Sequence, residues 1–353
     1  MNMKFRSDAR ALAQDWGIIM EGVRGYYSEM GQDALSPGLP VTAPNSGIPA
    51  IFTTYTDPKI IKAVITPTKS EETYGSAKKG DWITDTAQFP FVELSGTPVS
   101  YDDYAAGGDS DANANWIQRQ SYHYQLWTKW GEREVDRMGA AKIDWVNQKN
   151  EASISVLNKT QNLINLFGIS GLELYGALND PNLPAAISPL PKYTTSGAAA
   201  SGNTWLDTQD PLAVYNDVLK LYQRLTVQMG GNLTLESPMT LVIPTERQAC
   251  LLYSNEYMAG NVLSLLKQNL PNLKVETLPE AGSTLSGGNN STTMMQLFVD
   301  TIEGQETVTT AFTEKMRAHA VERYSSHFRQ KKSQGSWGTI WFYPIACATM
   351  TGI

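Results

Sequence analysis

The sequence predicts an α+β fold in which a helix-backed sheet, an α/β region and extended arms share one chain. Three observations predict it. One long amphipathic helix covers about 142–167, with Ile143, Val146, Ile154, Leu157, Ile164 and Phe167 on one stripe and Gly168 as its C-cap. Strand-like and helix-like segments alternate over 206–314. Two further strands, Arg317–Arg329 and Trp337–Met350, close the chain as a hairpin.

Taken in order, residues 8–30 read as an amphipathic helix with Leu12, Trp16, Ile19, Met20 and Val23 on one face. The run 36–49 holds Pro37, Pro40, Pro44 and Pro49, and proline fixes φ and removes a backbone donor, so this stretch is an extended arm. Residues 59–66 read as a strand. The next fifty or so residues are weakly patterned, with strands expected at Trp82–Thr84 and Phe89–Glu93 and bends at Gly80 and Gly96. An irregular stretch of that length is unusual inside a compact domain. As a hairpin it could reach about 80 Å at ~3.3 Å per residue, onto a neighbouring molecule.

Trp116–Trp130 reads as a strand entering a short helix near Glu132–Met138. The long helix would span about 39 Å at 1.5 Å per residue. Its other face carries Asp144, Lys149, Glu151, Lys159 and Gln161, so that face is exposed or shared. The loop Gly171–Pro184 (GLELYGALNDPNLP) follows, then a Ser/Gly/Ala/Thr linker over Tyr193–Asn203. Asp210 and Pro211 form an N-cap and N1 pair opening a helix to Met229. Beyond it come strands at Met239–Ile243, Leu273–Leu278 and Met294–Val299, with helices at Pro244–Tyr253 and Gly260–Asn269.

Hydrophobic residues make up 41% of the 353 and charged residues 18%, below the roughly 25% usual for soluble domains. With 9 Trp, 16 Tyr and 9 Phe, this leaves much of the surface to be covered by partner subunits. A net charge of −7 argues against holding nucleic acid by phosphate neutralisation, which needs clustered Lys and Arg. It suits a container whose wall does not stick to its contents. The N-terminus lacks the apolar run of a signal peptide, and no stretch approaches 18 apolar residues, so no membrane partner is expected.

Tests for chemistry fail one by one. Cys250 and Cys347 lie far apart among apolar residues and read as buried thiols. His319 and His327 would share one strand face, with no metal-site spacing around them. Asp109–Asn115 imitates a calcium loop but has Ala114 where glycine is needed and Gln120 where a bidentate Glu belongs, so it reads as a polar turn. Glu132, Glu134 and Asp136 suit a helix N-terminus without acid–base work. The basic run Lys315–Lys332 reads as a solvated strand face. No nucleotide or acyl-transfer loop is present, so no catalytic residue, cofactor or metal is assigned.

The segments DWITDTAQFPFVELSG (81–96), EREVDRM (132–138), NLINLFG (162–168), GLELYGALNDPNLP (171–184) and PIACATMTGI (344–353), in that order, resemble the Hong Kong 97-type major capsid proteins of tailed bacteriophages and their relatives, the encapsulins. The resemblance covers most of the chain from about residue 45. It implies a Hong Kong 97-like capsid fold. Residues 1–58 would be an N-terminal helix and extended N-arm, 59–66 a P-domain strand and 67–115 the E-loop. The P domain would occupy 116–205, with its spine helix at about 142–167. The A domain would be 206–314, and 315–353 would be returning strands completing the P domain.

The function implied is self-assembly into pentamers and hexamers of an icosahedral shell around double-stranded DNA. The implied partners are other copies of the chain, a portal, scaffold or decoration proteins, and DNA contacted non-specifically. The place implied is the virion capsid, assembled in the host bacterial cytoplasm. Phe52, Tyr55, Lys78, Lys79, Trp82, Phe89 and Phe91 are the expected inter-subunit contacts, because arm and loop aromatics bury only against neighbours. About thirty residues precede the Pro-rich run, too few for the long cleaved scaffolding segment of some members. The lysines Lys69, Lys78 and Lys79 sit where one member forms isopeptide links, but are expected to be solvated or interfacial. An encapsulin shell is the alternative reading, and an α/β enzyme or ligand-binding protein a remote one.

Overall fold

The long helix, α3, runs Trp145–Phe167, starting three residues later than the periodicity suggests. Asp144 sets the start, because its side chain accepts a hydrogen bond from Asn147 N at 3.2 Å and so satisfies a donor of the first turn. Gly168 ends it at φ 64°, with its N–H bonded to Ile164 O. The computed structural model describes residues 67–103, 107–140, 143–193, 202–208, 210–254, 260–282 and 293–353, and the side chain of Phe91 is not among the described ones. The expected helix 8–30, the Pro-rich arm, the strand 59–66 and most of the 193–203 linker lie outside these residues, as do Phe52 and Tyr55.

Ahead of α3 come α1 (Ser70–Tyr74), β1 (Ser76–Lys78), β2 (Thr86–Gly96), β3 (Ser110–Gln120), β4 (Tyr122–Gly131) and α2 (Glu132–Ala140). The excursion is therefore shorter than 67–115 at its start and longer at its end. Tyr74 is buried, stacked on Phe298 at 5.4 Å and hydrogen-bonded to Gln296 Oε1, so α1 belongs to the core. The hairpin proper is β2 paired antiparallel with β3. Trp82–Thr84 is a turn closed by Thr84 N to Asp81 O, not a strand, and Gly96 ends β2 instead of bending it. Asp109–Asn115 is extended chain entering β3, not a polar turn. The strand expected at the start of Trp116–Trp130 is two strands, broken where Ser121 bonds back to Thr84 O and Asp85 O.

After α3 come α4 (Pro211–Gln228), β5 (Met239–Pro244), a 3₁₀ turn (Thr245–Leu252), α5 (Val262–Asn269), β6 (Leu273–Leu278) and β7 (Met294–Val299). Asp210 caps α4 through Leu212 N. The short ribbon β8 (Thr301–Ile302) and β9 (Gln305–Glu306) leads into β10 (Val308–Arg323), β11 (His327–Trp341) and β12 (Cys347–Thr351). The closing turn falls at 324–326, inside the stretch expected to be one strand, with Tyr324 N bonded to His327 O. His319 and His327 consequently sit on two different strands.

Two four-stranded sheets organise these elements, in the orders β1-β10-β11-β4 and β12-β7-β5-β6. The last strand does not complete the first sheet. It pairs with β7 in the second, because Cys347, Ala348 and Met350 are apolar and fill that core. There β5 and β7 are buried along their length beneath α4, with Val218, Leu221, Leu225, Leu241, Leu297 and Trp205 closely packed. Cys250 and Cys347 are buried, and burial pushes the Cys347 thiol up to about 12.

Against the first sheet, α3 presents a polar face. Gln161, Asn162 and Asn165 are buried there beside Leu157, Ile164 and Leu166, while Ile154 of the expected stripe is exposed. Gln161 bonds to Gln334, Asn165 O accepts from Thr339 Oγ1, and Lys332 Nζ reaches Asn150 Oδ1 at 3.0 Å. Lys332 is thus buried, contrary to the solvated face expected for Lys315–Lys332.

Candidate assembly surfaces

The joint between α3 and the hairpin is the loop 168–184. Its sharp return depends on glycine. A Cβ on Gly176 would collide with the backbone of Leu166 and Phe167, and Gly171 holds φ 89°. Asn179 Oδ1 accepts from Gly176 N at 2.9 Å, and Leu178 N reaches Leu166 O. Leu174 and Leu178 are buried, Leu172 half-buried. From this loop Asp180 pairs with Arg119 at 2.8 Å, and the Arg119 guanidinium stacks over Tyr175 at 4.7 Å. Burial raises the Asp180 carboxyl above its ordinary value, opposed by the hydrogen bonds from Asn182 and by Arg119. Gln120 N also bonds Glu173 O, so the last turn of β3 is clamped to the loop.

Register assigns the hairpin two unlike faces, since residues opposite each other in an antiparallel pair point to the same side. Pro90 faces Trp116, Val92 faces Ala114 and Leu94 faces Ala112, which makes one side apolar beyond its polar base pairs Thr86–Gln120 and Gln88–Gln118. Leu94 is 84% exposed, Trp116 59% and Val92 57%. On the other side Ala87 and Phe89 pack against Ala311, Trp337 and Ile340 at the base. Beyond the base that side turns polar, with Glu93 opposite Asn113 and Ser95 opposite Asp111.

The expected contact residues divide accordingly. Phe89 meets Phe342 edge-on at 6.0 Å, and Trp82 meets His123 at 4.6 Å with Arg317 over its ring. Lys79 Nζ lies above Phe342, and the Lys79 carbonyl accepts from Trp337 Nε1 at 2.9 Å. These three side chains are engaged in seating the hairpin on its own subunit. Lys78 is exposed near Asp81 at 4.0 Å, and the Phe91 backbone stands opposite Asn115. Ile83, Val92, Leu94, Val99, Tyr101 and Trp116, which the sequence did not single out, are the exposed apolar groups of this region. Pairing register would have found three of them, Val92, Leu94 and Trp116, but it is not readable from one strand alone.

An apolar hairpin clamped at its base and open beyond it, on a subunit with two separate sheets, defines a protein of the shell-forming class: its exposed parts are completed by other subunits. Residues 39–352 match the family model described as Pa193 gp26 major capsid protein, and the chain belongs to that family. Solved structures carry the same fold. The capsid of Myoviridae phage XM1 is similar with a TM-score of 0.68 at 13% identity, covering 87% of this chain and 99% of that one. The capsid of a native GTA particle gives 0.58 at 9%, covering 88% and 99%. Microbacterium phage Oxtober96 gives 0.56 at 10%, covering 88% and 100%. No curated protein sequence matches the chain. The fold is the Hong Kong 97-like capsid fold, and the protein is a structural phage capsid protein, not an enzyme.

Proposed function

We propose that this capsid protein forms the hexamers and pentamers of an icosahedral shell enclosing double-stranded DNA, assembled in the host cytoplasm around a portal. Scaffold or decoration proteins are further partners in this reading. The helix-backed sheet serves as the P domain, the sheet built on β5 and β7 as the A domain, and the hairpin β2–β3 as the E-loop. Phe52, Tyr55, Lys78, Lys79, Trp82, Phe89 and Phe91 belong to or flank the surfaces facing neighbours, and Val92, Leu94 and Trp116 join them. The single observation supporting this most is the exposed apolar face of the hairpin, which in an isolated subunit leaves Leu94 84% in water. Burial against a neighbour contributes about 25 cal/mol for each Å² removed from water, repeated at every subunit of a closed shell.

The test replaces Phe91–Asn115 by a short turn. This keeps α1, β1 and the clamped base, which a deletion from Lys69 onward would destroy. The truncated chain is expected to be soluble and folded yet to form no shells under the electron microscope. Normal shells from it would refute the role of the hairpin. Particles of the intact chain filled with protein cargo instead of DNA would replace the genome-container reading.

A further inference from the structure

The root of the hairpin does not lie flush on its own subunit. Between the two is a cavity of about 310 Å³, with Phe89 and Ile117 of the hairpin on one wall and Ile340 and Phe342 of the body on the other. Pro90, Val92 and Gln305 are its exposed members and form the mouth. Arg119 and Trp341 form the floor, 3% and 2% exposed. Sites for small molecules begin at about 300 Å³, so the space suits one compact guest.

The floor carries two hydrogen-bond donors that the chain leaves unused. Arg119 pairs with Asp180 through Nη2, and its Nε has no partner among the described residues. Trp341 Nε1 has none either. Both groups are held in place. The guanidinium lies over Tyr175, and the Trp341 ring is edge-on to Phe298 at 5.6 Å and to Tyr74 at 6.2 Å. Fixed donors kept out of water select an acceptor, since a buried N–H without one is costly. Charge narrows the choice. Asp180 already balances Arg119, so a carboxylate entering the cavity would be an uncompensated charge taken out of water. Gln305 Oε1, the side-chain amide oxygen in the lining, already receives the Tyr343 hydroxyl at 2.9 Å, which leaves less for a guest that brings its own N–H groups.

We propose that this cavity is a binding site for a compact apolar molecule with one neutral oxygen acceptor, a ketone or an ester on an aromatic or aliphatic body. The oxygen accepts from Arg119 Nε and Trp341 Nε1, and the body lies among Phe89, Ile117, Ile340 and Phe342. Because one wall belongs to the hairpin and the other to the body, the bound molecule bridges them and restrains the hairpin where it leaves the subunit. The site is complete within one subunit. It therefore does not depend on where the hairpin goes beyond its root.

The test uses the full chain as unassembled subunits and three ring compounds of nearly one shape. Acetophenone has the neutral oxygen, ethylbenzene lacks it, and benzoate is charged. Binding is read from the Trp341 indole N–H resonance, identified by its loss in Trp341→Phe. Acetophenone is expected to shift that resonance saturably and to bind at least about tenfold more tightly than either of the others. Ile117→Trp, which fills the cavity with a larger ring, is expected to abolish the shift with melting little changed. No saturable shift with acetophenone would overturn the proposal, the two donors then being satisfied by water alone. Ethylbenzene binding equally well would reduce the cavity to an apolar void, and tighter binding of benzoate would make it an anion site; either overturns it. A shift that persists in folded Ile117→Trp places the compound elsewhere, on the exposed apolar face of the hairpin, and overturns it as well. None of these outcomes touches the shell-forming reading, which stands or falls with hairpin truncation.

Discussion

Arg119 and Asp180 form an ion pair at 2.8 Å with both side chains almost wholly out of solvent, and it ties the base of the hairpin to the loop after the long helix. Two charges buried together hold their place chiefly because neither can be left alone. Asp180→Asn strands the Arg119 guanidinium and is expected to cost about 3–5 kcal/mol, read as a lower denaturant midpoint of the unassembled subunit. Arg119→Met with Asp180→Leu should recover most of it. A midpoint unchanged by Asp180→Asn would show that the clamp is not needed for folding.

A second buried pair makes a separate prediction. Asp217, on α4, accepts from Lys192 Nζ, Trp205 Nε1 and Leu190 N, with both members of the ion pair fully buried. It fastens the chain on either side of the linker to the α/β sheet. Asp217→Asn should destabilise by about 3–5 kcal/mol, whereas Trp205→Phe, which removes one hydrogen bond and keeps most of the packing, should cost only about 1–3 kcal/mol. Equal losses in chemical denaturation would contradict this order.

Gly176 and Gly171 lie five residues apart and should respond differently. Gly176→Ala places a methyl group into the backbone of Leu166 and Phe167, which cannot yield, so this variant should not give a soluble folded subunit. Gly171→Ala meets open space and carries only the left-handed backbone strain, about 1–2 kcal/mol. Soluble expression and melting of the two proteins check the contrast.

Glu280 gives the pH prediction. It is buried where the turn after β6 meets α3, with Asn162 Nδ2 donating to Oε1 and Oε2 left without a partner among the described residues. Burial raises its carboxyl above 4.5, against the hydrogen bond from Asn162 and the charge of Lys159. A carboxyl raised on folding contributes stability in full below its unfolded value, and loses it as pH rises through the folded value. Glu280→Gln should therefore be more stable than wild type at pH 7, with the advantage shrinking as pH falls toward 4.5. Melting curves across that range decide it; a difference that does not vary with pH would exclude the charge of Glu280 as its cause.

Local chemistry by itself determined a good deal of this protein. Asp210 and Pro211 mark the start of α4, Gly168 marks the end of α3, and Met294–Val299 reads directly as a buried strand, because caps and apolar runs act within a turn or a single strand. The glycines of the 171–184 loop could also be read as turns in sequence. Tertiary structure alone decided the rest. Gln161, Asn162 and Asn165 look like a solvent face until Ser70, Glu280, Gln334 and Ser336 arrive from distant parts of the chain to satisfy their side chains. Register between β2 and β3 decides that Val92, Leu94 and Trp116 stand in water while Phe89 rests on its own sheet. The physical reason is the same in each case. A side chain's periodicity shows which neighbours share its side of an element, but burial is decided by what packs on that side, and here those groups lie tens to hundreds of residues away.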